Sequence, residues 1–154
     1  MNLLDSLKND LLRALQILAI IKVRNQSEAV MNPDALLPWD TADNCRHNVR
    51  AICDLEGLTE VQKDNLSKTI HCESNYNPAC VHPNTFNGKV STTDYGICQI
   101  NDYWHIGPGK DFPSSEYVLQ NPEACVRWMC NQWKAGNANA WVCHSKGLFN
   151  NYSA

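Results

Sequence analysis

Leu4, Leu7, Leu11, Ala14, Leu18 and Ile21 alternate three and four residues apart, so the spacing predicts one helix over 2–24 with an a/d-type apolar seam. Leu3, Leu15, Ile17 and Ile20 widen that seam beyond a strict coiled-coil face. Such a helix either packs on the rest of the chain or docks on a protein partner or a membrane surface, and docking is the preferred expectation. Residues 25–44 carry Asn32-Pro33 and Leu37-Pro38 among polar neighbours, the composition of a linker. The pattern therefore divides the chain into an amphipathic helix with linker, 1–44, and a compact domain, 45–154.

Within the domain the period changes twice. A helix over about 45–54 ends before Gly57, and a second starts at Thr59, where Gln62 completes a capping box. This second helix runs to about Cys72–Ser74, with Asn77-Pro78 to stop it. Over 79–104 the helical period gives way to turn residues, among them Asn84, Asn87-Gly88 and Gly96. Between them lie short β-prone pieces, Lys89-Val90-Ser91-Thr92 and Tyr95-Gly96-Ile97, which predict a small antiparallel β region. From Ser115 the helical pattern returns. Asn121-Pro122-Glu123 opens a helix through Trp133, Gly136 ends it, and Trp141 to His144 forms another short one. A mainly helical domain with one small sheet is an α+β fold.

Charge narrows the partners. The net charge is −3, with four Lys/Arg against six Asp/Glu in residues 1–44 and nine against ten in 45–154. Neither part has the basic excess that draws a protein onto nucleic acid. No apolar stretch is long enough to span a membrane; Ala14 to Val23 is broken by Gln16 and Lys22. Asp5 and Asp10 stand where a secretory signal needs cations, so that stretch is also a poor export tag.

The cysteines point outward nonetheless. Cys45, Cys53, Cys72, Cys80, Cys98, Cys125, Cys130 and Cys143 all lie in the compact domain, and their even number suggests disulfides in an oxidising setting. The rival is a zinc site, since His71-Cys72 and Cys80-Val81-His82 bring soft ligands together, but no CxxC pair accompanies them. No metal and no cofactor is expected. Release by host lysis or carriage on a phage particle reconciles the cysteines with the missing tag, giving an extracellular or virion-associated protein.

Glu73 carries the chemistry. Leu66, Ile70 and Glu73 follow at i, i+4 and i+7, which sets the carboxyl on the face that buries its helix. Desolvation and the negative end of the helix dipole both favour the protonated form there, as general acid catalysis requires. After it come Glu73-Ser74-Asn75-Tyr76-Asn77 and Ser91-Thr92-Thr93-Asp94-Tyr95-Gly96-Ile97-Cys98-Gln99-Ile100-Asn101.

In these two runs, and over about residues 58–145, the chain resembles the animal-type lysozymes. The resemblance implies a lysozyme-like fold with a cleft between a helical and a β lobe. It also implies Glu73 as acid and Asp94 as nucleophile or stabiliser, in the paired-carboxylate mechanism of which that family is the type case. It assigns substrate contacts to Ser74, Gln99, Asn101 and Trp104, and to Ala140 and Trp141 in the Trp-bearing segment that walls the acid. The cysteine positions do not reproduce that family's disulfides, and the stretch between Glu73 and Asp94 is a few residues longer. Asn121-Pro122-Glu123-Ala124, Trp133-Lys134-Ala135-Gly136 and the Gly147 to Tyr152 tail look more like the soluble lytic transglycosylases, which use the Glu alone and release anhydro sugars. The expected function is muramidase action on the glycan strand of peptidoglycan. A lytic transglycosylase is the alternative, and a non-catalytic binding or structural protein on the same fold is the alternative of another class. The presence of both carboxylates counts against the last.

Overall fold

The structure is a computed structural model that describes residues 35–154. The helix expected over 2–24 lies outside the described residues. Residues 35–41, linker in the sequence reading, lie against the domain: Leu36 and Trp39 pack on the core. The buried side chain of Asn48 clasps Leu37, accepting from its N–H at 2.7 Å and donating to its carbonyl at 2.8 Å.

Helix α1 (Ala42–Leu55) starts three residues earlier than expected, because the Thr41 side chain caps it by accepting from Asn44 N–H. It buries Cys45, Val49, Ile52 and Cys53. Helix α2 (Glu60–Ser74) opens on the expected capping box, with Thr59 and Gln62 each accepting from the other's backbone N–H. It ends at Ser74, three residues before Asn77, since Asn75 takes the left-handed conformation at φ 53° and Tyr76 repeats it at φ 58°.

Strands β1 (Val81–Phe86) and β2 (Lys89–Tyr95) pair antiparallel, with a bulge between Asn84 and Thr85. They meet at Asn87-Gly88, both with positive φ. Short β3 (Ile100–Asn101) pairs with β2 so that Asn101 stands opposite Asp94. Gly96 and Ile97, expected in a strand, form instead the turn that joins β2 to β3. Gly96 sits at φ 72°, where a Cβ would also press within 3.0 Å of Val118. A single turn of helix, α3 (Asp102–His105), follows directly, and then α4 (Ser115–Gln120) and α5 (Pro122–Lys134). A 3-10 turn over Ala138–Ala140, helix α6 (Val142–Ser145) and a 3-10 turn over Leu148–Asn151 complete the chain.

The architecture is thus α+β, with a three-stranded antiparallel sheet in the order β1-β2-β3. One core holds the lobes together: Val49 and Ile52 of α1, Leu66 and Ile70 of α2, and Val126 and Met129 of α5 are fully buried with Ile97 of the β turn. No described helix is long and apolar enough to cross a membrane. The disulfide expectation is met by one bridge, Cys72–Cys143; the other six cysteines are thiols. Because Cys72 is bonded to Cys143, it is withdrawn from the zinc alternative. No cluster of three or more metal-ligating side chains gathers among the described residues.

Candidate active site

A cleft of about 440 Å³ lies where α2, the sheet and the α5–α6 region meet, lined by residues of both lobes. Glu73 enters it from the last turn of α2, and Asp94 from β2. Gln99, Asn101, Trp104, Ala140 and Trp141 line the same cleft. Seven of the eight residues singled out in the sequence are therefore brought together.

Glu73 is largely withdrawn from water, and its Oε1 accepts the backbone N–H of Cys143 at 2.9 Å. Burial pushes its carboxyl above the ordinary glutamate range. The Cys143 N–H pulls the other way, the charge of Asp94 adds to the rise, and His82 offsets part of it. The net effect is a carboxylic acid that holds its proton to higher pH than a solvated glutamate.

Asp94 is fixed by two amides. Asn101 Nδ2 donates to its Oδ1 at 2.6 Å and Asn84 Nδ2 to its Oδ2 at 2.8 Å. Both amides also reach Thr92 Oγ1, at 3.2 Å each, so four side chains from three strands form one network. The register explains it: Asn84 stands opposite Thr92 in the β1–β2 pair, and Asn101 opposite Asp94 in the β2–β3 pair.

The two tryptophans differ. Trp141 is buried, its Nε1 donating to the Cys98 carbonyl at 2.8 Å, with its ring against Trp128 and Trp133. It is a core aromatic that presents one part to the cleft beside Glu73. Trp104 is 68% exposed and stands edge-on to the equally open Tyr103 at the rim. Gln99, at φ 50°, bends its amide back to donate to the Gly96 carbonyl at 2.8 Å. Ser74 is the one candidate outside the cleft. Its hydroxyl is buried, within hydrogen-bonding reach of the Ile70 carbonyl at 3.1 Å and the Ile97 carbonyl at 2.7 Å. The resemblance assigns Ser74 a substrate contact, but one residue further along a helix turns the side chain about 100° away from that of Glu73.

The sequence reading missed Asn84, Ile100, His105, Trp128 and Val142, all of which line the cleft. In the sequence Asn84 reads only as a turn residue; the pairing of β1 with β2 is what aims it at Asp94. His105 is held by Asp111, Nδ1 to Oδ2 at 2.8 Å, with its ring edge-on to Trp128. No protein-family model matches this chain and no curated protein matches it, so the cleft's own geometry carries the functional reading.

Proposed function

We propose that this protein is a muramidase, hydrolysing the β-1,4 bond between N-acetylmuramic acid and N-acetylglucosamine in peptidoglycan. One observation carries the reading: a desolvated, singly anchored glutamate and an amide-clamped aspartate line one cleft from different lobes. Two carboxyl groups set in contrasting environments are what glycoside cleavage asks for, one to give a proton and one to meet positive charge.

In this mechanism Glu73 protonates the oxygen of the leaving sugar. Asp94 stabilises or traps the oxocarbenium-like carbon, and Glu73 then takes a proton from the water that completes hydrolysis with retention. Trp104 offers an exposed aromatic face for sugar stacking and Gln99 the oxygen of its amide, while Asn101 serves the cleft by holding Asp94. No metal or cofactor enters these steps. The Cys72–Cys143 bridge supports work outside the reducing cytoplasm, in an extracellular or virion-associated setting.

A lytic transglycosylase is the second reading, and one observation favours it. Both oxygens of Asp94 are already engaged by Asn84 and Asn101, which suits a fixed structural carboxylate better than a mobile nucleophile. Digestion of purified peptidoglycan followed by mass analysis tests both. Hydrolysis leaves reducing ends, and transglycosylation leaves anhydro ends lighter by one water. Release of neither rules out both.

A further inference from the structure

One covalent link reaches Glu73 from two directions. Cys72 immediately precedes it on α2, and Cys143 is the residue whose backbone N–H donates to Glu73 Oε1 at 2.9 Å. These two cysteines are joined to each other across a sequence separation of 71. The bridge therefore closes a long loop at the acid itself. The buried thiols of Cys53 and Cys130, which would tie α1 to α5 through the core, stay unbridged at 3.7 Å.

Helix α6, which carries Cys143, is four residues long and has no side-chain cap. His144 packs on Trp133 and Phe149, and the buried Trp141 holds the start of the helix, while the helix itself is a single turn. Helix α2 is fifteen residues long, capped at its start and buried along one face. Of the two partners the short helix is the one that yields.

We propose that the Cys72–Cys143 disulfide is a positioning device for Glu73, holding the Cys143 N–H on the carboxyl so that cleavage depends on the oxidised state of the bridge. The proposal rests on reading Glu73 as the acid. With the bridge opened, the two sulfurs must part to non-bonded contact, of the order seen between Cys53 and Cys130. The α6 segment takes up that movement, and the N–H withdraws from Oε1. The other groups facing Glu73, Asp94 from β2 and His82 from β1, sit on elements the bridge does not touch. Burial and Asp94 then act without the donor that opposed them, so the carboxyl titrates at higher pH. Its orientation toward the leaving oxygen loosens as well.

The test uses the full chain labelled with 13C in its glutamate carboxyls, the Glu73 signal being assigned by its loss in Glu73→Gln. A water-soluble phosphine converts the bridge to two thiols, its phosphorus taking up the oxygen of water. Since this is the one bridge among the described residues, the effect is specific. The Glu73 titration midpoint is expected to rise on reduction. The basic limb of the rate profile should move with it, kcat should fall about tenfold, and KM should hold. An unchanged midpoint and rate profile, with only a lower unfolding temperature, would overturn the proposal and leave the bridge a brace. A midpoint that moves in a protein cleaving no glycan in either state upholds the positioning and sinks the muramidase reading instead. If the reduced chain unfolds, Cys72→Val with Cys143→Ala replaces it. Unfolding of that variant too shows the bridge holding the fold rather than the acid, and overturns the proposal.

Discussion

The Ser74 hydroxyl, one residue beyond Glu73, lies 2.7 Å from the carbonyl of Ile97. That bond fastens the end of α2 to the turn between β2 and β3, so the element carrying Glu73 and the element carrying Asp94 share a buried tie. Ser74→Ala leaves the Ile97 carbonyl without this donor and should cost about 1–2 kcal/mol of stability. KM should not change, because the hydroxyl does not face the cleft. A thermal melt alongside steady-state kinetics checks this; a raised KM with unaltered stability would return Ser74 to the substrate-binding set.

Glu73→Gln keeps the shape of the side chain and an oxygen for the Cys143 N–H but has no acidic proton. Cleavage should fall about a thousandfold or more while the fold persists. The same substitution should raise stability near neutral pH. Burial sets the folded-state titration of Glu73 above that of the unfolded chain. Its contribution to stability is therefore fully present below the unfolded value and is lost as pH climbs through the folded one. The glutamine does not titrate, so its unfolding temperature should exceed the parent's at pH 7. The two should converge below about pH 4, where both carboxyl states are protonated. Parallel melts across pH measure the difference.

Local signals in the sequence located the elements well where one residue pair decides them. The Thr59–Gln62 box and the Asn87-Gly88 turn stand where their side-chain chemistry requires. The cleft was legible only where a run of residues names it, as with Glu73 and with Asp94 to Asn101. Asn84, His105 and Trp128 belong to it through strand register and helix packing, and neither leaves a mark on the neighbouring sequence. The same holds for Cys72 with Cys143, whose partnership depends on how α6 returns to α2. Ser74 lies outside the cleft, because one step along the helix turns its hydroxyl toward the Ile97 carbonyl.

Trp104 and Trp141 should separate binding from packing. Trp104→Ala removes an exposed ring that holds up nothing, so stability should not change. KM should rise roughly fivefold, about 1 kcal/mol of lost stacking. Trp141→Ala opens a hole among Trp128, Trp133 and Cys98 and leaves the Cys98 carbonyl unpaired, so it should cost about 3–5 kcal/mol. Binding of a soluble glycan fragment, read with melting temperature, distinguishes them.

The segment before α1 makes a further prediction. A chain starting at Ala35 keeps Leu36, Trp39 and the clasp of Asn48 on Leu37, and should fold with an intact cleft. One starting at Thr41 loses both packed side chains and leaves the amide of Asn48, which is fully buried, without either partner. It should be less stable by about 2–5 kcal/mol. Comparing the two by denaturant unfolding isolates the segment; equal stability would show that 35–40 is linker after all.

Asp94→Asn separates hydrolysis from transglycosylation, and the hydrogen-bond network makes the variant interpretable. An asparagine brings an NH2 where Asp94 had an acceptor, so one neighbouring amide must turn over to receive it. Asn101 resists turning, because its Oδ1 accepts the Tyr103 N–H as the cap of α3. Asn84 can turn, giving up its bond to Thr92 Oγ1 at 3.2 Å while Asn101 keeps its own. The fold and the β-strand network should therefore survive, and any rate loss reports the missing charge. If Asp94 meets the oxocarbenium-like carbon, the rate should fall at least about a hundredfold, or 2.7 kcal/mol of barrier. Remaining products should still carry reducing ends. A variant that cleaves at nearly the parent rate and yields anhydro ends would make Asp94 a structural member of the sheet and Glu73 the sole catalytic group.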